Sequence, residues 1–119
     1  MGRILVVDDS YAELQLIQSA LKSLGHDLVT AMDGEEWERI AKAGNINLII
    51  LDVILPKKNG FQVCRELKKD DKYKHIPIIM VTSKDQDSDQ FWGLKQGANE
   101  YMKKPFNPAD LVKVVKKYI

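Results

Sequence analysis

The chain has 119 residues, 45% hydrophobic and 29% charged, which fits one globular domain with enough apolar material for a core. Its 18 basic and 17 acidic side chains leave a net charge of +1, so no general attraction to nucleic acid is expected, and no apolar run reaches the roughly 18 residues of a membrane span. Cys64 is the only cysteine, which excludes an internal disulfide and a cysteine-rich metal site.

Met1, Gly2 and Arg3 lead straight into apolar residues with no cleavable signal, which predicts a cytoplasmic protein with no membrane partner. Arg3 to Val7 reads as a buried strand. Ser10 opens a helix, with Glu13 completing a capping box and Leu14, Ile17, Leu21 and Leu24 on one face up to Gly25. Leu28 to Ala31 is a second strand. Asp33 and Glu36 repeat the capping signature for a helix carrying Trp37, Ile40 and Ala41 and ending at Gly44. Leu48 to Leu51 is a third, wholly apolar strand. A loop with Pro56, Asn59 and Gly60 leads to a helix marked by Phe61, Cys64 and Leu67. Ile76 to Val81 is the fourth strand and Asp85 to Gln96 the fourth helix, closed by Gly97. Glu100 to Lys103 is the fifth strand. Asn107 and Pro108 start a last helix with Leu111, Val112, Val115 and Tyr118 on its apolar face.

Unbroken apolar strands are buried on both faces, and strict alternation with helices implies a parallel sheet. The expected architecture is a doubly wound α/β fold with five strands and five helices. Ligands in such sheets sit beyond the C-terminal strand ends. The residues there are Asp8 and Asp9 after the first strand, Asp52 after the third, Thr82 and Ser83 after the fourth, and Lys103 at the end of the fifth with Lys104 and Pro105 following it. With strand order 2-1-3-4-5, three carboxylates converge opposite a hydroxyl and an ammonium. Clustered carboxylates must take up protons or a cation, and oxygen ligands favour a hard ion such as Mg2+. A carboxylate can also act as a nucleophile and form an aspartyl phosphate. Each residue has a plainer reading alone: a helix cap for Asp8, Asp9 and Ser10, a turn for Asp52, a helix start for Thr82 and Ser83, a solvated Lys104. Their fall at one sheet edge favours the joint reading.

Four stretches resemble the receiver domain of response regulators, of CheY-like fold: Ile4 to Ser10 (ILVVDDS), Leu51 to Pro56 with Asn59-Gly60, Val81 to Ser83, and Gly97 to Phe106. The resemblance spans residues 1–119 as one receiver. It implies a two-component switch in which Asp52 accepts a phosphoryl group from a histidine kinase. It further implies Mg2+ ligands from Asp9, Asp52 and the backbone carbonyl of Ile54, with Asp8 acting through water. Thr82 and Lys104 become the phosphoryl-binding groups, Tyr101 the switch aromatic, Ser83 and Lys84 parts of the active-site loop, and Lys104–Pro105 a cis bond. The output is expected as partner binding through the face made by the fourth helix, fifth strand and fifth helix, by a monomer or weak dimer with no enzymatic or DNA-binding output.

The run from Thr82 to Gly97 is similar to regulators of the twitching-motility and phototaxis branch of chemotaxis-like systems. It holds Trp92, read either as packing or as a partner anchor. Ile54, two residues past Asp52, is apolar where the family can carry a water-orienting side chain, which predicts slow self-dephosphorylation. Lys113, Lys116 and Lys117 read as a solvated face, and His26 and His75 as surface loop residues. The rivals are a receiver serving as a phosphate sink, a haloacid-dehalogenase-like phosphatase, which would need an acid at Ile54, and a flavodoxin-like cofactor binder, whose phosphate loop is replaced here by Asp8-Asp9-Ser10.

Overall fold

The computed structural model describes residues 2–84 and 86–119. Five strands, β1 (Arg3–Val7), β2 (Asp27–Ala31), β3 (Leu48–Leu51), β4 (Ile78–Thr82) and β5 (Glu100–Lys103), alternate with the helices α1 (Tyr11–Leu21), α2 (Gly34–Ala43), α3 (Gly60–Lys69), α4 (Asp87–Lys95) and α5 (Pro108–Val115). Every pairing is parallel and the order is β2-β1-β3-β4-β5.

Alternation along the strands divides the core in two. Leu5, Val7, Ile49, Leu51, Ile78 and Met80 face one layer, where Trp37 of α2 and Val63, Cys64 and Leu67 of α3 pack. Ile4, Val6, Leu48, Ile50, Ile79 and Val81 face the other, against Leu14, Ile17 and Leu21 of α1 and Leu111 and Val115 of α5. β3 and β4 are buried at every position, as central strands covered on both sides should be. The edge strands β2 and β5 are only partly covered.

Side-chain oxygens cap four helices: Ser10 accepts from Glu13 N–H, Asp33 from Glu36, Asn59 from Phe61 and Asn107 from Ala109. Three expectations need correction. β4 begins at Ile78 and not Ile76, because Pro77 has no N–H to give the ladder, although Ile76 is buried. α4 begins at Asp87 because Gln86 is its cap, exchanging hydrogen bonds with Asp89; Asp85, expected to open this helix, lies outside the described residues. His26 is half-buried, and its Nδ1 accepts the Gly2 N–H at 2.9 Å, so it joins the chain start to the turn before β2. α1 passes into a single 3-10 turn, Lys22–Leu24, which Gly25 ends in the left-handed region at φ 76°. Among the described residues no helix is long and apolar enough to cross a membrane.

Candidate functional site

Sheet register builds the site. Val7 stands opposite Leu51, so the next residue of each strand, Asp8 and Asp52, comes abreast past the strand ends. Their backbones continue the ladder: Asp52 N–H donates to the Val7 carbonyl at 2.9 Å and Asp8 N–H to the Ala31 carbonyl at 3.1 Å. On the other side Thr82 stands opposite Lys103, and Lys104 N–H donates to the Thr82 carbonyl at 2.9 Å. The peptide between Lys104 and Pro105 is cis.

These backbones aim the Lys104 ammonium at the acids. Its Nζ donates to Asp8 Oδ2 at 2.6 Å and Asp52 Oδ2 at 3.1 Å, with Glu13 Oε2 at 3.9 Å. Asp52 Oδ1 accepts the Ile54 N–H at 3.1 Å, and Asp8 Oδ1 accepts the Ser10 N–H at 2.9 Å. Carboxylate oxygens of Asp8, Asp9 and Asp52 lie within 4.8 Å of one another. Asp8 and Asp52 are buried and Asp9 is exposed, so Asp9 is the acid of the three nearest solvent. The cleft above it measures about 540 Å³, with Ser10, Ile54, Ser83 and Pro105 on its rim.

Burial pushes the Asp8 carboxyl above its ordinary value, against the hydrogen bonds from Lys104 and Ser10 that favour its charge. Burial also opposes charge on Lys104, but the hydrogen bonds and fields of Asp8 and Asp52 together outweigh it and hold its pKa up. The two directions compete across one hydrogen bond. The Lys104 direction prevails, since its ammonium faces three carboxylates.

Thr82 is fully buried beneath the cleft, and its Oγ1 accepts the Lys84 N–H at 3.4 Å. Tyr101, half-buried on β5, donates its hydroxyl to the Lys84 carbonyl at 2.7 Å. The two side chains thus hold opposite ends of one residue's main chain. The Tyr101 ring lies so close to Gly93 of α4 that a Cβ there would stand 2.8 Å from it. Farther out on α4, Phe91, Trp92 and Leu94 are exposed. His75 and the Lys113, Lys116 and Lys117 side chains are exposed and remote from the cleft, with Lys117 pairing to Glu100 at 3.7 Å.

Two features, one of the cleft and one of the loop beside it, were not legible beforehand. Glu13 joins the cleft, although its local pattern is satisfied by a helix cap. Lys58, in the loop after β3, bridges Glu38 at 3.2 Å and Glu66 at 3.3 Å and so ties that loop to α2 and α3. Chemically, three clustered carboxylates with only oxygen donors suit a hard divalent cation. The nearby ammonium suits a phosphoryl oxygen.

A family model described as the response regulator receiver domain matches residues 4–116. The chain is 38% identical to Protein PilH of Pseudomonas aeruginosa over 115 residues, covering 97% of this chain and 95% of that protein. It is 43% identical to the alkaline phosphatase synthesis transcriptional regulatory protein PhoP of Bacillus subtilis over 92% of this chain, but spans only 45% of PhoP. Among solved structures, chemotaxis protein CheY4 of Vibrio cholerae superposes with a TM-score of 0.90 at 32% identity, over 100% of this chain and 99% of that one. The receiver domain of sensor histidine kinase PA1611 of Pseudomonas aeruginosa, with magnesium in its active site cleft, superposes with a TM-score of 0.89 at 29% identity, over 99% and 98%.

Proposed function

The chain belongs to the response regulator receiver family, whose members are switched by aspartate phosphorylation, and from that premise we propose that Asp52 is its phosphoacceptor. The observation that carries this reading is the contact between Lys104 Nζ and Asp52 Oδ2 at 3.1 Å, within a cluster of buried acids at the sheet edge. In the proposed reaction a carboxylate oxygen of Asp52 attacks the phosphorus of a phosphohistidine on the partner kinase. The P–N bond breaks, its electron pair stays with the imidazole, and an acyl phosphate remains on Asp52. Lys104 then exchanges its bond to Asp52 for one to a phosphoryl oxygen, a charge-assisted contact.

Asp9, Asp52 and the Ile54 carbonyl, with Asp8 through water, are the proposed holders of Mg2+, which when bound neutralises charge on the phosphoryl group. The donor set fits that ion, since all its ligand atoms are oxygens and those of Asp8, Asp9 and Asp52 gather within 4.8 Å. Ser83, on the rim, is a further phosphoryl contact.

The switch lies in Thr82. To bond the phosphoryl group its hydroxyl turns its proton toward Asp52, a movement that bears on its long 3.4 Å contact from the Lys84 N–H, and Tyr101 holds the carbonyl of that same residue. Both grips bear on the segment that leads into α4. The proposed output surface is the α4, β5 and α5 face, with exposed Trp92 as an anchor for a protein partner. The protein catalyses only its own phosphorylation and dephosphorylation and works in the cytoplasm. A hydrolase reading is not favoured, since Ile54 stands where a second acid is needed.

The test is incubation with acetyl phosphate and Mg2+, followed by intact mass and peptide mapping. The wild type is expected to gain one phosphoryl group on the peptide carrying Asp52, and Asp52→Asn none. Label on another residue, or in Asp52→Asn, would overturn the assignment. A partner that binds the labelled protein and is lost on Trp92→Ala distinguishes a messenger from a phosphate sink.

A further inference from the structure

In a capping box the Glu13 carboxylate would reach back to the backbone N–H of Ser10. Only half of that box exists. Ser10 Oγ accepts the Glu13 N–H at 3.3 Å, but the Ser10 N–H donates to Asp8 Oδ1 at 2.9 Å. In α2 the corresponding acid, Glu36, is still held at the helix start: it reaches past the cap residue Asp33 and accepts the Met32 N–H at 2.8 Å. Because Asp8 occupies the Ser10 N–H, the Glu13 carboxylate is freed from the cap. It lines the cleft with Oε2 3.9 Å from Lys104 Nζ, and its side chain is 33% exposed, which places it nearer the opening than Asp8 at 2% or Asp52 at 8%.

Lys104 is the one cation lining the cleft among the described residues, and it already serves Asp8 and Asp52. At 3.9 Å from Lys104 Nζ the Glu13 carboxylate pairs with the ammonium without a hydrogen bond, so it adds to the negative charge that exposed Asp9 already places at the mouth. We infer that Glu13 is a specificity-determining residue that slows small anionic phosphodonors and so biases Asp52 toward a donor carried by a docked protein. A free anion must enter against this charge unaided, whereas a protein donor offsets it with contact area outside the cleft. The inference rests on the reading of Asp52 as phosphoacceptor.

Two small donors separate charge from structure. With acetyl phosphate, Asp52 attacks phosphorus and the P–O bond breaks with its electron pair leaving on acetate. With phosphoramidate the P–N bond breaks and the already protonated nitrogen leaves as ammonia. At neutral pH the first is a dianion and the second a monoanion. One charge a few ångströms away in a wet cleft changes entry by about threefold per unit of donor charge.

The experiment measures initial rates of Asp52 labelling by mass, with both donors and excess Mg2+, for wild type, Glu13→Gln and Glu13→Asp. Glu13→Gln is expected to speed acetyl phosphate by about tenfold and phosphoramidate by about threefold, with both gains shrinking as salt is raised. Glu13→Asp keeps the charge and is expected to keep the wild-type ratio of the two rates. An equal change with both donors in Glu13→Gln, a gain indifferent to salt, or a ratio in Glu13→Asp like that of Glu13→Gln overturns the inference while leaving Asp52 in place. Wild type that takes no phosphoryl on Asp52 from either donor overturns the phosphoacceptor reading and this inference with it.

Discussion

Lys104 Nζ stands 2.6 Å from Asp8 Oδ2, nearer than its 3.1 Å approach to Asp52. The lysine therefore does two jobs before any phosphoryl group arrives. It relieves repulsion between two buried acids, and it waits beside the proposed acceptor. Lys104→Met should leave those acids facing each other. Stability in the presence of a chelator is expected to fall by about 3–5 kcal/mol, since removing one member of a buried pair strands the other. Millimolar Mg2+ should recover most of the loss, because a ligand that binds only the folded form stabilises it. Urea denaturation with and without Mg2+ checks this; an equal loss in both would rule out the shared-cation account.

Ile54 is 48% exposed on the cleft rim, and its N–H already serves Asp52 Oδ1. Its side chain offers no hydrogen bond to a water attacking the acyl phosphate. Ile54→Asn supplies one, and a single hydrogen bond in the transition state is worth roughly a tenfold change in rate. Phosphorylated Ile54→Asn should decay faster than wild type by that order, measured as loss of label after the donor is removed. Slower decay in the variant would refute the role given to Ile54.

Gly60 forms a wall behind Asp52. A Cβ at Gly60 would stand 2.7 Å from the Val53 Cα and 2.9 Å from the Asp52 carbonyl oxygen, both backbone atoms with little room to yield. Gly60→Ala is expected to cost about 1–3 kcal/mol by overpacking. It should also slow labelling of Asp52 by more than Gly25→Ala does, since Gly25 has nothing within 4 Å of its Cβ position and lies far along the chain from the cleft. Equal labelling rates in the two variants would show that the wall does not position the acid.

Cys64 is fully buried, and burial pushes its thiol from 9.0 up to about 11. The folded chain thus holds this proton more tightly than the unfolded chain. The associated stability is complete below about pH 9 and is lost as pH climbs to about 11, on the order of 2–3 kcal/mol over that window. Tyrosines and lysines titrate there too, so the informative quantity is the difference between wild type and Cys64→Ala. That difference should tilt against wild type as pH rises; a flat difference in urea denaturation would contradict it.

Most of the architecture could be read from residue order, because a doubly wound sheet needs only apolar runs alternating with capped helices. The strand ends followed, and with them the positions of Asp8, Asp52 and Lys104, which the structure brings within hydrogen-bond reach. What escaped did so for identifiable reasons. Asp85, Gln86, Asp87 and Asp89 crowd the start of α4, and a sequence offering several caps does not say which is used. Pro77 trimmed β4 by a rule that the apolar run concealed. Glu13 was hidden by a local explanation that was half right, since only the structure reveals that Asp8 takes its intended partner. Lys58 looked like any surface lysine until Glu38 and Glu66 closed around it.

The hydrogen bond from Lys104 N–H to the Thr82 carbonyl joins the ends of two neighbouring strands by one main-chain link. The two groups expected to grasp a phosphoryl ion are therefore not independent fingers but adjacent teeth on one comb. Insertions ahead of either residue would shift that register and misalign both, so anyone grafting this reception chemistry onto another scaffold must transplant the paired strand tips together.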